Sequence, residues 1–434
     1  MNLRRVTGFA IAAAAAAVSA PLAAQNVAIT NATLATGDGS EPVENATVVV
    51  QNGKIVAAGP GVAAPAGMAV IDGTGKWVTP GLFAAMTQLG LYDVDGVPNS
   101  NDSSGGRSIF SAALDVTTAL NPASQHVSVT RGGGITRASV FVGPSSAIFG
   151  GQGAVVDLGA DPNMVMRPRA FQVVTLGESG GRIAGGTRLA AQAAFRNALQ
   201  EAQTAVGKTD RPADALLNRP DALALVPVVR GEQPLYVAVE RAADIRSVLA
   251  LRNDFPKLDL VIVGASEGWM VASELAAAKV PVIAHALDDL PTSFEDLAAT
   301  QSNVGRMVRA GVKVAVGGLT GGTGDQARNS KQFAGNLVAL NKLPGATGLT
   351  WGQALATISS VPAEIAGFGG KAGVLKPGAV GDVVLWDGDP LELASAPVKV
   401  FIDGVEQPTD NHQTKLRERY RDLDTSQLPK AYEW

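Results

Sequence analysis

The sequence predicts an α/β protein, a (β/α)8 TIM barrel with a composite small β-sandwich domain formed by the N- and C-terminal segments. Three observations point there. The chain has 434 residues, well above the roughly 250 that a barrel of eight strand–helix units needs. Through its middle, apolar strand-like runs alternate with Ala-rich helical stretches, the pattern of parallel strands joined by crossover helices. Short alternating strands separated by turn residues occupy both ends.

In chain order, the first 25 residues read MNLRRVTGFAIAAAAAAVSAPLAAQ: a basic start at Arg4 and Arg5, an apolar run from Gly8 to Val18, then small residues. This is the layout of a Sec-type signal peptide over residues 1–24, cleaved near Ala24. The residues around Arg4 and Arg5 match a twin-arginine signal poorly. The apolar run falls short of the roughly 20 residues that span a bilayer, and no later stretch is both long and charge-free. The mature chain is therefore expected to be periplasmic or secreted, with no transmembrane segment.

From Val27 to Val78 come VAITNATLA and NATVVVQNGKIVAAG, with Asn52-Gly53 as a hairpin turn. The same texture returns in GVLKPGAVGDVVLWDGDP and VKVFIDGVE. Residues 25–78 and 374–408 are expected to pair as the composite domain, with the barrel at 79–373 and a tail at 409–434. Barrel strands are expected at Leu82–Gln88, Thr136–Val142, Ala154–Leu158, Phe171–Leu176, Leu235–Val239, Leu258–Val263, Val280–Ala284 and Val312–Val316. The Gly-rich Phe149-Gly150-Gly151-Gln152-Gly153 leaves a hairpin insertion open for the third. Arg241 to Asn253 carries Ala242, Ile245, Val248 and Leu249 on one helical stripe, which suits packing on the barrel. The tail from Thr414 is dense in charge and reads as a solvated helix.

Charged residues make up 17% of the chain and the formal charge is −4. Loss of Arg4 and Arg5 makes the mature chain more acidic still, so nucleic acid is excluded as a partner. There is no cysteine, so disulfides contribute nothing even in an oxidising compartment.

The segment GKWVTPGLFAAMTQLGL, Gly75 to Leu91, resembles the first barrel strand of the amidohydrolase superfamily, above all its imidazolonepropionase-like branch, where a Pro-Gly-Leu turn leads into His-x-His. The resemblance continues through FQVVTLGESGGR, GTRLAAQAAFRNAL, RAADIRSVLALRNDF, LVIVGASEGWMVASELAAAKVPVI, GVKVAVGG and VPAEIAGFGGKAGVLKPGAVGDVVLWDGDPL. It implies a hydrolase of non-peptide carbon–nitrogen bonds with a zinc-class metal. The implied ligands lie on strand 1 (His-x-His), strand 4, strands 5 and 6 (His) and strand 8 (Asp). Here the His-x-His positions hold Met86 and Gln88, strand 5 holds Ala238 with Glu240 two residues on, strand 6 holds Gly264, and strand 8 holds Gly318 or Leu319. Neighbours such as Pro80, Gly81, Glu178, Arg188, Glu267, Asp382 and Asp389 still match the family pattern.

The histidine count leads to the same conclusion. A hydrolytic zinc site takes three or four protein ligands, imidazole typically among them. Only His126, His285 and His412 exist; His412 lies in the tail and His126 precedes strand 2 on an expected helix. Met and Gln are neutral, and a thioether prefers softer ions, so the simplest role of Met86 and Gln88 is to fill space. No cofactor and no metal are expected.

His285 ends the strand VPVIAH, at the face where barrels carry their sites; it is either a general base or a hydrogen-bonded loop residue. Glu178, Glu240 and Glu267 also fall at strand ends. Their carboxylates either converge with His285 on a ligand or proton, or pair with Arg182, Arg188 or Arg241. Asp93 and Asp95 resemble an acidic calcium loop without its terminal Glu. GGLTGGTGD, Gly317 to Asp325, is either a lid or a phosphate-binding loop.

The expectation is an exported, catalytically silent barrel that binds a small molecule, or pairs as a homo-oligomer or with an active relative. The alternative is an active amidohydrolase with machinery relocated to Glu178, Glu240, Glu267 and His285.

Overall fold

The structure, a computed structural model, describes residues 24–94, 97–144, 146–207, 213–317 and 326–421. The expected signal peptide, apart from its last residue, lies outside the described residues. So do Asp95, Leu319, all of the glycine loop after Gly317, and the last part of the charged tail.

Five strands precede the barrel: β1 (Val27–Leu34), β2 (Val43–Gln51), β3 (Lys54–Pro60), β4 (Ala69–Asp72) and β5 (Trp77–Pro80). The barrel strands are β6 (Leu82–Thr87), β7 (Ile135–Val140), β8 (Phe149–Asp157), β9 (Val165–Thr175), β10 (Leu235–Val239), β11 (Leu260–Gly264), β12 (Val282–Ala284) and β13 (Val314–Val316). After them come β14 (Val383–Trp386), β15 (Pro397–Ile402) and β16 (Val405–Glu406). Asn52 and Gly53 both take positive φ, at 50° and 73°, and join β2 to β3 with Gln51 opposite Lys54, as a two-residue hairpin turn requires.

The outer strands run β16-β15-β14-β5-β1-β2-β3, with β4 also on β1. β5 makes the two chain ends one unit, pairing parallel with β1 through Thr33 and Trp77 and antiparallel with β14 through Pro80 and Val383. Hydrogen bonding through β5 links all eight strands in a single sheet, where two facing layers were expected. Its own apolar core includes Ile29, Val48, Val78, Leu385 and Phe401.

The barrel strands run β13-β12-β11-β10-β9-β8-β7-β6. Seven are parallel, but β8 is antiparallel to both neighbours, which corrects the expectation of eight parallel strands. The connections explain it. Residues 141–148 and 158–164 flank β8, and neither stretch reaches the dozen or more residues that a parallel crossover needs. The Gly-rich segment thus belongs to a hairpin laid into the barrel wall.

Alternation along the strands separates two cores. Phe83, Phe171, Val173, Tyr236, Val263 and Ile283 share one buried cluster inside the barrel, where Phe171 stacks on Tyr236 with centroids 4.2 Å apart. Val174, Val237, Ile262, Val282 and Val314 belong to the cluster that packs against the surrounding helices. The helix Ala242–Ala250 buries Ala242, Ile245 and Val248, three of the four positions of its stripe. β13 and β6 do not pair with each other. Val316 N–H donates to Thr357 O and Phe83 N–H to Ile358 O, both at 2.9 Å, so two consecutive carbonyls of the following segment bridge the seam.

The tail helix His412–Tyr420 buries no residue. Among the described residues no helix is long and apolar enough to cross a membrane.

Candidate functional site

The C-terminal ends of the barrel strands open on a cavity of about 420 Å³, within the range of small-molecule sites. Gln88, Thr175, Ala238, Glu240, Gly264 and His285 line it, each at or just beyond the end of its strand. Phe141, Leu176, Ile183, Val239 and Val263 form apolar wall.

Glu240 follows β10 and is held by Ser266, whose N–H and Oγ both bond to Oε2, at 2.9 Å and 2.7 Å. Burial pushes its carboxyl above the ordinary glutamate range, against the two Ser266 bonds and the neighbouring His285, which favour the charged form. Gly264 faces it. A Cβ built on Gly264 would stand 2.6 Å from Cδ of Glu240, and Gly264 has φ +94°, so both space and backbone exclude a side chain there. The Glu240 carboxyl occupies the volume in which a side chain at position 264 would begin.

Glu267 does something else. Its Oε2 accepts from Ala242 N–H at 2.9 Å and its Oε1 from Ala298 N–H at 3.3 Å, so it holds the start of the helix Ala242–Ala250 and the loop after β12. Glu178 is half-exposed, with Oε2 3.8 Å from Arg188, and it does not line the cavity. The four expected catalytic residues therefore do not converge. Glu240 and His285 share the cavity, while Glu178 and Glu267 are engaged beside it. The two backbone bonds hold Glu267 in place, whereas Glu178 has only the long contact to Arg188, its Oε2 being buried without a hydrogen-bond partner.

Sequence reasoning missed Glu295, in the loop SFEDL after β12. It lines the cavity; its Oε2 accepts from Glu178 N–H at 2.6 Å and from Arg188 Nη2 at 3.1 Å. Gly177, at φ +64°, admits it, because a Cβ there would stand 2.6 Å from that oxygen. Arg188 also contacts Asp244 at 3.3 Å, and Arg241 bonds to Asp244 at 3.0 Å. Thr175 was missed as well; its Oγ1 is buried without a hydrogen-bond partner. No periodicity marks either residue, and an acidic loop alone is a weak signal.

The residues at the implied zinc positions do not fit a zinc ion. Gln88 offers only a neutral amide, whose Nε2 donates to Ser103 O at 2.8 Å. Met86 is 2% exposed and buried within the barrel. Ala238 and Gly264 carry no donor side chain, and Leu319 lies outside the described residues. Among the described residues no group of three or more His, Asp or Glu side chains comes together as a metal site. Of the other histidines, His126 packs against Tyr92 with the rings tilted at 50° and centroids 4.5 Å apart, and His412 starts the exposed tail helix. Asp93 accepts from Asn121 Nδ2 at 2.9 Å.

Residues 258–409 match the family model of the amidohydrolase family. Amidohydrolase tasK of Hapsidospora irregularis is 23% identical over 400 residues, a match covering 83% of this chain and 39% of that one. The chain thus spans about two fifths of that relative's length. A crystal structure of an amidohydrolase from Thermotoga maritima MSB8 superposes with a TM-score of 0.74 at 23% identity, covering 88% of this chain and 99% of that one. A structure of molinate hydrolase gives 0.53 at 16% identity, covering 89% and 95%. Likenesses at this identity speak for the shared fold.

Proposed function

We propose that this chain, which belongs to the amidohydrolase superfamily, is an exported barrel that binds a small molecule without metal-dependent hydrolysis. The sequence segments quoted above support the imidazolonepropionase-like branch, and the layout of residues 1–24 supports Sec-type export. One observation carries the functional reading: a cavity of about 420 Å³ persists, while Glu240 fills the volume at Gly264 from which a ligating side chain would project. Hydrolysis in this fold calls for a metal-activated water and a group that takes its proton, and the donor set around the cavity does not supply the first.

The test is elemental analysis of the mature protein, purified without chelator and then offered zinc, manganese and iron. Each sample is assayed on small cyclic and acyl-amino substrates. The expected result is no stoichiometric metal and no metal-dependent turnover. Stoichiometric metal with turnover that a chelator abolishes overturns the reading.

A second reading has its own support, since Glu240 and His285 lie together in the cavity with the Glu240 carboxyl raised. Such a pair can relay a proton in a metal-independent hydrolysis of carbon–nitrogen bonds. It predicts turnover that is insensitive to chelator and lost in Glu240→Gln.

A further inference from the structure

Several of the polar atoms that the cavity offers are acceptors. Glu240 spends Oε2 on both Ser266 bonds, and its Oε1, which lies over Gly264, has no hydrogen bond among the described residues. Glu295 likewise spends Oε2 on Glu178 N–H and Arg188, with no hydrogen bond to Oε1 among the described residues. Gln88, which also lines the cavity, gives an amide N–H to Ser103 O. Thr175 Oγ1 is a buried orphan beside them. Two carboxylates thus lie in one small cavity with Phe141, Ile183 and Val263 as apolar wall.

The arginines differ in their place: Arg182 lines the cavity, Arg188 does not. Arg188 is held by Glu295 and Asp244, and Arg182 is exposed at the mouth with Nη2 on Ser179 Oγ. His285 is the cavity's imidazole, close enough to Glu240 to favour its charged form. Past that mouth a ligand meets the carboxyl groups of Glu240 and Glu295 and the imidazole of His285. A buried acceptor left unbonded is costly, and a charge-assisted bond to a carboxylate is about twice as strong as a neutral one.

We infer that the cavity selects small organic cations, an ammonium or amidinium group on an apolar body, with the charged nitrogen seated between Glu240 Oε1 and Glu295 Oε1. The inference rests on the binding reading above and names its ligand class. It requires the two carboxylates to do work that neither has in the empty cavity: Glu240 Oε1 gains a donor, and the apolar body covers the Phe141 side of the wall.

The test is isothermal titration of the mature protein with three ring compounds of one shape: benzamidine (cation), benzamide (neutral) and benzoate (anion). Benzamidine is expected to bind at least tenfold more tightly than benzamide, with benzoate weakest. Glu240→Gln, which keeps an oxygen for the Ser266 bonds, is expected to erase the preference for benzamidine over benzamide. Glu178→Gln, outside the cavity, leaves it unchanged. Because the three-compound series uses the unaltered protein, a misfolded variant does not decide the outcome. Equal binding of benzamide or benzoate, or no binding of any of the three at 10 mM, overturns the inference. Turnover assays on the same preparation keep the two ideas apart. Metal-dependent hydrolysis alongside cation preference sinks only the non-hydrolytic reading, and absence of both hydrolysis and cation preference sinks only the ligand class.

Discussion

Arg137 on β7 grips Asp382, at the entry to β14, through two parallel bonds: Nε to Oδ2 at 2.7 Å and Nη2 to Oδ1 at 2.9 Å. Both side chains are nearly inaccessible, at 3% and 1%. Asp403 completes the arrangement, 2.8 Å from Nη2, with its own N–H on Asp382 Oδ1. The pair ties the barrel wall to the composite sheet, and Arg137 holds the Asp382 carboxyl below the usual range against the pull of burial.

Removing one member strands the other in the interior. Asp382→Ala is expected to cost about 3–5 kcal/mol of unfolding free energy, read from urea denaturation. A loss below about 1 kcal/mol, the range of a surface pair, would contradict the buried linkage.

Asp157, at the end of β8, is pushed up to about 6, chiefly by burial, with Asp161 and Asp403 adding to the rise and Arg137 and the Gly159 N–H opposing it. Its ordinary value is 3.8. Between these values the unfolded chain releases the proton while the folded protein keeps it. The stability that this group contributes is therefore full below 3.8 and lost as pH rises through about 6. Asp157→Asn should raise the melting temperature at pH 7 by about 1–3 °C, the shift for roughly 1–3 kcal/mol at about 2.1 cal/mol/K per residue in a protein of this size, and change it little at pH 3.5. Calorimetry at the two pH values decides, and an equal shift at both refutes the assignment.

Restoring a histidine at position 264 should not restore a metal site. Gly264 has φ +94° and the Glu240 carboxyl lies against it, so Gly264→His must displace Glu240 and strain the backbone. We expect a loss on the order of 1–3 kcal/mol and no zinc retained after dialysis. Stable, stoichiometric zinc in this variant would show that the site had merely lost its ligand.

Glu267 separates support from recognition. Glu267→Ala leaves the N–H groups of Ala242 and Ala298 without their acceptor and should cost about 1–2 kcal/mol, as helix-cap removals do. Benzamidine affinity should not change. A tenfold loss of affinity at unchanged stability would instead place Glu267 in the binding site.

Much of this protein was legible one residue at a time. The β10 strand at Leu235–Val239 came out of its apolar run to the residue, because strand formation and burial follow local pattern. The absence of imidazole at Met86, Gln88, Ala238 and Gly264 is a matter of identity and needs no coordinates. His285 at a strand end also followed from the boundary of VPVIAH. The hairpin direction of β8 lay half-hidden in the short connections around it.

What the tertiary structure alone decided is which partner each polar group takes. Glu178, Glu240 and Glu267 looked alike as carboxylates at strand ends, yet one pairs with Arg188, one leans over Gly264 and one caps a helix. Glu295, 107 positions from the Arg188 it bonds, carried no sequence signal at all. A hydrophobic period records which way a residue faces, since that repeats along the element. A hydrogen bond or ion pair depends on separations of a few ångströms between segments far apart in the chain, and those exist only once the barrel has closed.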